Sequence, residues 1–407
     1  MALQLTADDQ SMLAGEEGEG VALAMRVLVA TAEAMGAERL LDITSAHVDG
    51  CLYHGPAGLD FARALVTGGA RVKVPTSLNV ASLDLLHPEL VRLDRATADD
   101  ARELMDAYVA LGCRPTWTCA PYQLPERPRL GEQVAWGESN AIVFANSVLG
   151  ARTERYGDFL DICAAVTGRA PAVGLHLDAG RRPTLVVRAD ELSADMAANE
   201  ALYPLLGHVL GQIADTRVAA ITGLPATTDE DHLKALGAAA ASSGAVAMFH
   251  AVGITPEAPR FSELAGMETV TVTREMIEEA RRELGAGGED RVDAVSVGTP
   301  HYSVHQLERL AELLGGRRCA IPLYVNTSRS VLDAFGEAEA LASCGARIVT
   351  DTCTYITPIL DHGVEVVMTD SAKWAYYAPA NLGVRVVFAS IADCVESAVA
   401  GRAVTTW

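Results

Sequence analysis

Apolar residues recur along the chain with two spacings, one typical of helices and one typical of short buried strands. Thr6 precedes an acidic first turn as a helix cap, and helical spacing over residues 20–35 ends at Gly36. Further helices are predicted over residues 100–111, 235–241, 303–314 and 337–344. Short apolar runs predict strands over residues 40–44, 71–75, 218–222, 245–250, 292–297, 321–325, 347–350, 364–368 and 384–389. This alternation indicates an α/β fold with mostly parallel sheets.

The length of the chain and one irregular stretch predict two domains. A single hydrophobic core rarely extends over 407 residues. The apolar pattern loosens between residues 174 and 215, where the chain contains Arg181, Arg182 and Pro183. We therefore predict two α/β domains with mostly parallel sheets that face a central cleft. The first covers residues 1–200 and the second residues 201–407, with an approximate boundary that the chain is free to cross.

Acidic residues outnumber basic ones by 53 to 32, which gives a formal net charge of −21. A negative field of this size disfavours binding to nucleic acid and to anionic membranes. The acidic N-terminal segment lacks the pattern of a signal peptide. The uncharged residues 235–256 fit a buried helix followed by a strand better than a membrane span. We expect a soluble, cytoplasmic protein that binds neither nucleic acid nor membranes.

Eight cysteines are scattered along the chain without a C-x-x-C pair, which argues against a disulfide framework. Most of them are expected to be buried as small apolar residues. The chain also lacks the glycine-rich phosphate loop, the serine elbow and the zinc-helix motif of common nucleotide-dependent and hydrolytic enzymes. Any metal site must therefore draw its ligands from segments that are distant in sequence.

Polar residues cluster after two predicted strands in the first half of the chain. The candidate substrate-binding residues there are small polar residues and one histidine: Thr44, Ser45, His47, Ser77 and Asn79. Open α/β sheets usually build their sites at strand ends. Asn146 and Ser147, which interrupt an apolar run, are further candidates. The alternative for the loop over residues 43–55 is a turn that satisfies its own hydrogen bonds.

Cys119 and Cys353 are the cysteines best suited to act as ligands. Cys119 lies at a strand-to-loop junction near a proline, which can present a thiolate, although an ordinary buried cysteine is the alternative. Cys353 stands between hydroxyl residues at a strand end. The remaining C-terminal cysteines lie in helical or strand contexts suited to burial: Cys319, Cys344 and Cys394.

Ser371 and Lys373 follow another predicted strand and are candidate catalytic residues. Lys373 is suited to bind a substrate carboxylate or to assist the departure of a hydroxyl group. A surface lysine is the alternative.

Seven segments resemble, in order, the catalytic domain of the aconitase X family. They are ITSAHVDGCLYHG (43–55), RVKVPTSLN (71–79), TCAPYQ (118–123), GESNAIVFANSVLGART (137–153), GTPHYS (298–303), DTC (351–353) and DSAKWAYYAP (370–379). Each segment is a weak signal alone, but together they keep their order over nearly the whole chain.

The resemblance implies a dehydratase in which an iron–sulfur cluster helps a hydroxyl group to leave while a base removes a proton from the adjacent carbon. It implies Cys119 and Cys353 as cluster ligands, and a third cysteine at the position where this chain has Thr299. The third ligand stays open, with His301 and Cys51 as substitutes. The cluster type, [2Fe–2S], [3Fe–4S] or [4Fe–4S], stays open as well.

Bacterial members of the family mainly dehydrate cis-3-hydroxy-L-proline and archaeal members mainly 5-phosphomevalonate. The polar loop over residues 43–55 is more similar to the bacterial type. The family also has a small swivelling domain that supplies a proton-acceptor serine, and no segment here resembles its loop. The resemblance thus implies a separate small subunit in a heterodimer. The alternatives are another hydroxy acid as substrate, a metal-free scaffold subunit, and a hydrolase that uses Ser45 or Ser371.

Overall fold

The computed structural model describes residues 3–192, 196, 199–285 and 290–406. By their contacts, the residues form two compact units. Unit 1 comprises residues 1–83 and 93–182, and unit 2 comprises residues 84–92 and 183–407. The chain thus joins unit 2 for nine residues and returns before it leaves unit 1 near Pro183. Because grouping by contacts does not define independently folding domains, the division at residue 200 stays a prediction.

Unit 1 is built around a small parallel sheet and a pair of antiparallel strands. The strands are β1 (Leu40–Asp42), β2 (Ala46–Val48), β3 (Thr76–Leu78), β4 (Ala135–Trp136) and β5 (Arg169–Pro171). β2 lies between β3 and β4 and is parallel to both, whereas β1 pairs with β5 in antiparallel orientation. The helices are Ala7–Ala14, Glu19–Ala34, Pro56–Thr67, Arg95–Ala110, Ser139–Phe144 and Leu160–Thr167, with a π-helical turn over Ala145–Leu149.

Unit 2 contains two parallel sheets. The first has the order β8-β7-β6-β9, with β6 (Leu185–Arg188), β7 (Ala219–Thr222), β8 (Phe249–Ala251) and β9 (Glu268–Thr271). The second has the order β12-β11-β10-β13-β14, with β10 (Ala294–Tyr302), β11 (Leu323–Thr327), β12 (Ala346–Val349), β13 (Val366–Thr369) and β14 (Arg385–Phe388). The helices are Leu202–Ala214, Glu230–Ser243, Arg274–Glu283, Val304–Leu314, Arg329–Phe335, Ala338–Ser343, Ala372–Leu382 and Ile391–Ala400.

The α/β fold with mostly parallel sheets is confirmed, and so are most of the predicted helices and strands. Thr6 caps the first helix with a reciprocal bond to Asp9. The uncharged stretch forms the end of the helix Glu230–Ser243 followed by β8, as expected. No helix in the described ranges has both the length and the apolar character that crossing a membrane requires. Cys344 and Cys394 lie in the core beside the five-stranded sheet, as their contexts predicted.

Two predicted strands in unit 1 are displaced. The strand expected over residues 71–75 is irregular, because Val72 and Lys73 donate their N–H groups to Leu111 O and Ala165 O instead of to a neighbouring strand. The true strand β3 begins at Thr76. The strand over residues 40–44 ends at Asp42, and the separate strand β2 carries His47. The displacement places candidate polar residues within strands rather than in loops after them.

Close contact between two helices of unit 2 depends on residues without bulky side chains. A methyl group at Gly207, on the helix Leu202–Ala214, would lie 2.1 Å from Leu236 O on the helix Glu230–Ser243. One at Gly211 would lie 2.1 Å from Ser243 Oγ. The helices can therefore approach backbone to backbone only while these positions are glycine.

We expect Gly207→Ala to destabilise the protein by about 1–3 kcal/mol, since overpacking forces the helices apart. Gly58→Ala is the matched control, because a methyl group there meets no atom within 4 Å. It should be neutral or mildly stabilising in its helix. Urea unfolding followed by circular dichroism measures both. Equal midpoints for the two variants would contradict the close packing.

Candidate active site

His47 and Ser77 face each other on β2 and β3 of unit 1, where they are register partners. His47 Nδ1 lies 2.8 Å from Ser77 Oγ. Burial lowers the pKa of His47 to about 3, so the ring is neutral near pH 7. Within the described residues, the buried Nε2 has no hydrogen-bond partner. A neutral imidazole with one nitrogen still to be satisfied is a candidate contact for a ligand.

Asp49 and Asn79 directly follow the ends of β2 and β3, two residues beyond His47 and Ser77. Because side chains alternate along extended backbone, they lie on the same face as His47 and Ser77. The Asn79 side-chain amide donates to Asp49 Oδ1, while Asn79 Oδ1 is buried without a partner in the described part of the chain. Burial, reinforced by three neighbouring carboxylates, raises the pKa of Asp49 to about 8. Asp49 can therefore hold a proton at neutral pH.

A second buried carboxyl group, that of Asp161, holds the backbone next to this polar face through hydrogen bonds. Its oxygens accept the N–H groups of Asp49 and Ile162, each over 2.6 Å. Burial and the charge of Asp158 raise the pKa of Asp161 to about 7. A methyl group at Gly137 would lie 2.7 Å from Asp161 Oδ2 and 3.0 Å from Asp49 Cβ. Glycine at position 137 thus permits the two acidic residues to approach each other.

Cys119 is buried in unit 1 and its backbone is fixed by Asn140. The Asn140 amide donates to Cys119 O over 2.8 Å, and its oxygen accepts from Tyr122 OH over 2.6 Å. Two residues before Cys119, Trp117 has a φ of +43°, in the left-handed region that side chains disfavour. Asn140 lies in the segment 137–153 that resembles the family, but the sequence predicted no role for it, because contact with a distant carbonyl group leaves no local signal.

In unit 2, Cys353 and His301 lie side by side. Cys353 Sγ is 3.8 Å from His301 Nε2, and that nitrogen is 3.2 Å from Thr352 O. Both side chains are buried, with 1% and 0% of their surface exposed. A thiol and an imidazole at this separation can both contact one metal ion.

The loop that carries Cys353 is held by buried polar groups. Asp351 has a φ of +61° and accepts two bonds from Arg329, over 2.7 and 2.5 Å. On the other side of Cys353, Thr354 N donates to Asn326 Oδ1 over 3.1 Å, and Thr354 Oγ1 accepts from Trp374 Nε1 over 3.0 Å. The position of the thiol is therefore fixed from both directions.

The side chains of Asp351 and Asp84 each accept hydrogen bonds from the residue that is next to the other in sequence. Asp351 Oδ2 accepts from Leu85 N over 3.0 Å, and Asp84 accepts from the N–H and the hydroxyl of Thr350 over 2.8 and 2.9 Å. Burial acts to raise the pKa of Asp84, but the bonds from His87 and Thr350 outweigh it and lower that pKa. These hydrogen bonds connect residues 84–92 with the Cys353 loop within unit 2.

Ser371 and Lys373 begin the helix Ala372–Leu382 beside Thr299. Ser371 Oγ donates to Thr299 O and accepts from Trp374 N, the second bond being the helix cap. Lys373 is only 4% exposed, which excludes the alternative of a surface lysine. These residues, with Tyr302, line a cavity of about 30 Å³. A buried ammonium group at a helix N-terminus favours an anion.

The other predicted residues have varied surroundings. Thr44 is exposed, and Ser45 is partly exposed. Asn146 bonds Thr153 N and O over 3.1 and 2.9 Å and accepts from Arg181 over 2.9 Å. Ser147 is buried. The substrate-binding roles of these residues stay predictions, and the bonds of Asn146 give it a structural task as well.

Three family models match most of the chain. The models for the first, second and third domains of aconitase X match residues 2–179, 183–282 and 292–400. The chain belongs to the aconitase X family. The predicted resemblance is thereby confirmed.

Related aconitase X proteins include enzymes of two named activities. The chain is 46% identical to cis-3-hydroxy-L-proline dehydratase of Pseudomonas aeruginosa, over 98% of this chain and 70% of that protein. It is 39% identical to the phosphomevalonate dehydratase large subunit of Methanothermobacter thermautotrophicus, over 93% and 95% of the two chains. The crystal structure of Thermococcus kodakaraensis aconitase X in its holo-form superposes with a TM-score of 0.88 at 33% identity, over 97% and 100% of the chains.

Three of the five candidate ligands are residues whose chemistry fits an iron–sulfur centre. Thiolates are the preferred ligands of such clusters, and imidazole replaces them in some. Cys119 in unit 1 and the pair Cys353 and His301 in unit 2 supply these donors. Thr299 is a poor iron ligand. Cys51 is also unsuited, because burial raises the pKa of its thiol and the thiol donates to Asn79 O over 3.2 Å.

We expect Asp49→Asn to gain stability relative to the natural protein as the pH rises from 5 to 9. The folded protein holds the Asp49 proton up to a pKa of about 8, against an ordinary value of 3.8. Ionisation therefore weakens folding over that interval, by at most about 1.4 kcal/mol for each pH unit. Asparagine keeps the acceptor oxygen and cannot ionise.

Melting temperatures at several pH values measure this difference. Asp106→Asn, at an exposed position of the helix Arg95–Ala110, is the control and should show no such trend. A difference between Asp49→Asn and the natural protein that does not vary with pH would refute the raised pKa.

Proposed function

We propose that this chain is the large subunit of a dehydratase that removes water from cis-3-hydroxy-L-proline. The observation that carries the proposal is the 46% identity, over 98% of the chain, to the Pseudomonas aeruginosa cis-3-hydroxy-L-proline dehydratase. A second relative of the same name, from Hypocrea jecorina, is 40% identical over 98% of the chain.

The names of archaeal relatives support a small-subunit partner, because these proteins are called phosphomevalonate dehydratase large subunits. About a third of each hydroxyproline dehydratase has no counterpart here, since the chain spans 70% and 69% of them. The archaeal relative named as a large subunit matches almost end to end, at 95% of its length. The partner would be the small swivelling domain that the family resemblance implies, which supplies the proton-acceptor serine. The chain is therefore proposed to act in a heterodimer.

An iron–sulfur cluster, when bound, supplies a Lewis acid that polarises the departing hydroxyl group. We assign Cys119 and Cys353 as ligands on the basis of the family motifs. Both thiols are buried, and both follow a strained residue by two positions. Backbones held in this way keep donor atoms fixed before any metal binds.

Lys373 would bind the substrate carboxylate. Lys373 is a buried lysine in the first turn of its helix, and both a lysine side chain and a helix N-terminus favour an anion. Ser371 would hold this end of the helix in position, since its hydroxyl group contacts both Thr299 O and Trp374 N. The catalytic role assigned to Ser371 is thus one of orientation.

The polar face of unit 1 favours an imino acid over a phosphorylated alcohol. Asn79 Oδ1 is an acceptor, and His47 Nε2 is another when Nδ1 donates to Ser77. The ring nitrogen of hydroxyproline offers two N–H donors and a positive charge, whereas 5-phosphomevalonate offers neither.

Dehydration of 5-phosphomevalonate is the second candidate, favoured by the end-to-end match to the archaeal large subunit. The deciding experiment uses the complex with its small subunit, purified without oxygen and supplied with each substrate. We expect turnover of cis-3-hydroxy-L-proline. Turnover of 5-phosphomevalonate alone would support the second candidate. An intact, iron-containing complex that acts on neither would contradict both.

We expect Lys373→Met to lower kcat/KM for hydroxyproline by about 30- to 5,000-fold, because loss of one partner of a buried charge pair costs about 2–5 kcal/mol. Lys73→Met is the matched control, since Lys73 is half-exposed and pairs with Glu17 over 2.8 Å. Steady-state kinetics measures both, with melting temperatures to check folding. A folded Lys373→Met variant with the natural rate would rule out the carboxylate contact.

A further inference from the structure

The position where the family motif implies a third cysteine carries a residue that cannot replace it. Thr299 is 7% exposed, and its Oγ1 has no hydrogen-bond partner in the described ranges. A neutral hydroxyl group is a hard and weakly basic donor, whereas iron–sulfur clusters take soft thiolates or imidazoles. A cluster in this chain therefore needs another protein ligand or has one fewer.

His301 lies two residues further along β10 and provides a suitable donor. At a tetrahedral metal with bonds of about 2.1 Å to nitrogen and 2.3 Å to sulfur, the two ligand atoms lie about 3.6 Å apart. His301 Nε2 and Cys353 Sγ are 3.8 Å apart. Both side chains are buried, so the surrounding residues fix the distance between the two atoms.

We propose that His301 Nε2 and the Cys353 thiolate bind the same iron in this chain, with the histidine replacing the cysteine that position 299 lacks. This inference rests on the proposed function, because it assumes an iron–sulfur dehydratase. On binding, the Cys353 thiol loses its proton to solvent, while His301 coordinates as a neutral imidazole and gives up its contact with Thr352 O.

The surroundings of His301 support a fixed ligand. Its backbone oxygen lies 3.4 Å from the ammonium group of Lys234, which is itself buried and paired with Asp231 over 2.8 Å. On the opposite side, the bonds of Asp351 and Thr354 fix the Cys353 loop. Neither donor needs a rearrangement of its backbone to meet a metal.

Replacing an anionic thiolate by a neutral imidazole also changes the cluster. Histidine-ligated clusters are less negative and have higher reduction potentials than clusters bound by cysteine alone. A nitrogen nucleus bound to iron couples to the unpaired electron of the cluster. The proposal therefore has a spectroscopic signature that is independent of turnover.

The test uses the heterodimer, reconstituted with iron and sulfide without oxygen. Pulsed electron paramagnetic resonance, recorded in the paramagnetic redox state, should show a strong ¹⁴N coupling that changes to ¹⁵N in protein labelled on histidine. In His301→Ala the coupling should vanish, and iron retained against a chelator should fall at least tenfold, on the order of the loss seen when ligand support is removed. His305→Ala, on the exposed part of the next helix, is the control and should retain both.

One further variant distinguishes the loss of a ligand from a folding defect. Thr299→Cys in the His301→Ala background should restore iron binding without the nitrogen coupling. A natural complex that holds iron but has no histidine coupling, or a His301→Ala complex with unchanged iron and spectrum, overturns the inference and leaves the proposed function intact. A natural complex that holds no iron after reconstitution overturns both. If the natural complex shows the histidine nitrogen coupling but does not act on hydroxyproline, only the proposed substrate is contradicted.

Discussion

The Cys353 loop depends on the hydrogen bonds that the carboxylates of Asp84 and Asp351 accept from Thr350 and Leu85. Both carboxylates are at most 1% exposed, and each binds backbone beside the other. Arg329 neutralises Asp351, so the burial of its charge is compensated. Removal of one partner from such a network usually costs about 3–5 kcal/mol. The left-handed conformation at Asp351, and with it the direction of the thiol, persists because this network holds it.

Buried carboxyl groups of the two units include examples with opposite pKa shifts. In unit 2, hydrogen bonds lower the pKa of Asp84, so that carboxylate is charged and serves the architecture. In unit 1, burial and like charges raise the pKa values of Asp49 and Asp161 to about 8 and about 7. Ionisation of a carboxyl group whose pKa is raised in this way does not stabilise the fold. Groups with such shifted pKa values are concentrated at functional sites. The contrast separates a structural acid from a candidate proton carrier.

The sequence predicted the elements whose apolar pattern is strong and missed those that lack one. The strand–helix alternation of unit 2 follows from short apolar runs such as residues 321–325, which overlap the observed strand β11. β3 is a three-residue strand with two polar side chains, so no pattern could locate it. The helix Leu202–Ala214 is buried on nearly all sides and contains Pro204, which hides its period. Contacts such as Asp84 to Thr350 join residues too distant in sequence to be paired by inspection.

The residue at position 299 affects both iron binding and substrate binding, because Thr299 lines the same cavity as Lys373. A cysteine thiolate at position 299 would place a negative charge beside the ammonium group that is proposed to bind the substrate carboxylate. Coulomb interactions are strong in a buried site, so that charge would weaken the attraction for an anion. Threonine removes the charge, and a neutral imidazole from His301 provides a donor without restoring it. One change in sequence thereby alters both the ligands of the iron and the potential that an acidic substrate meets.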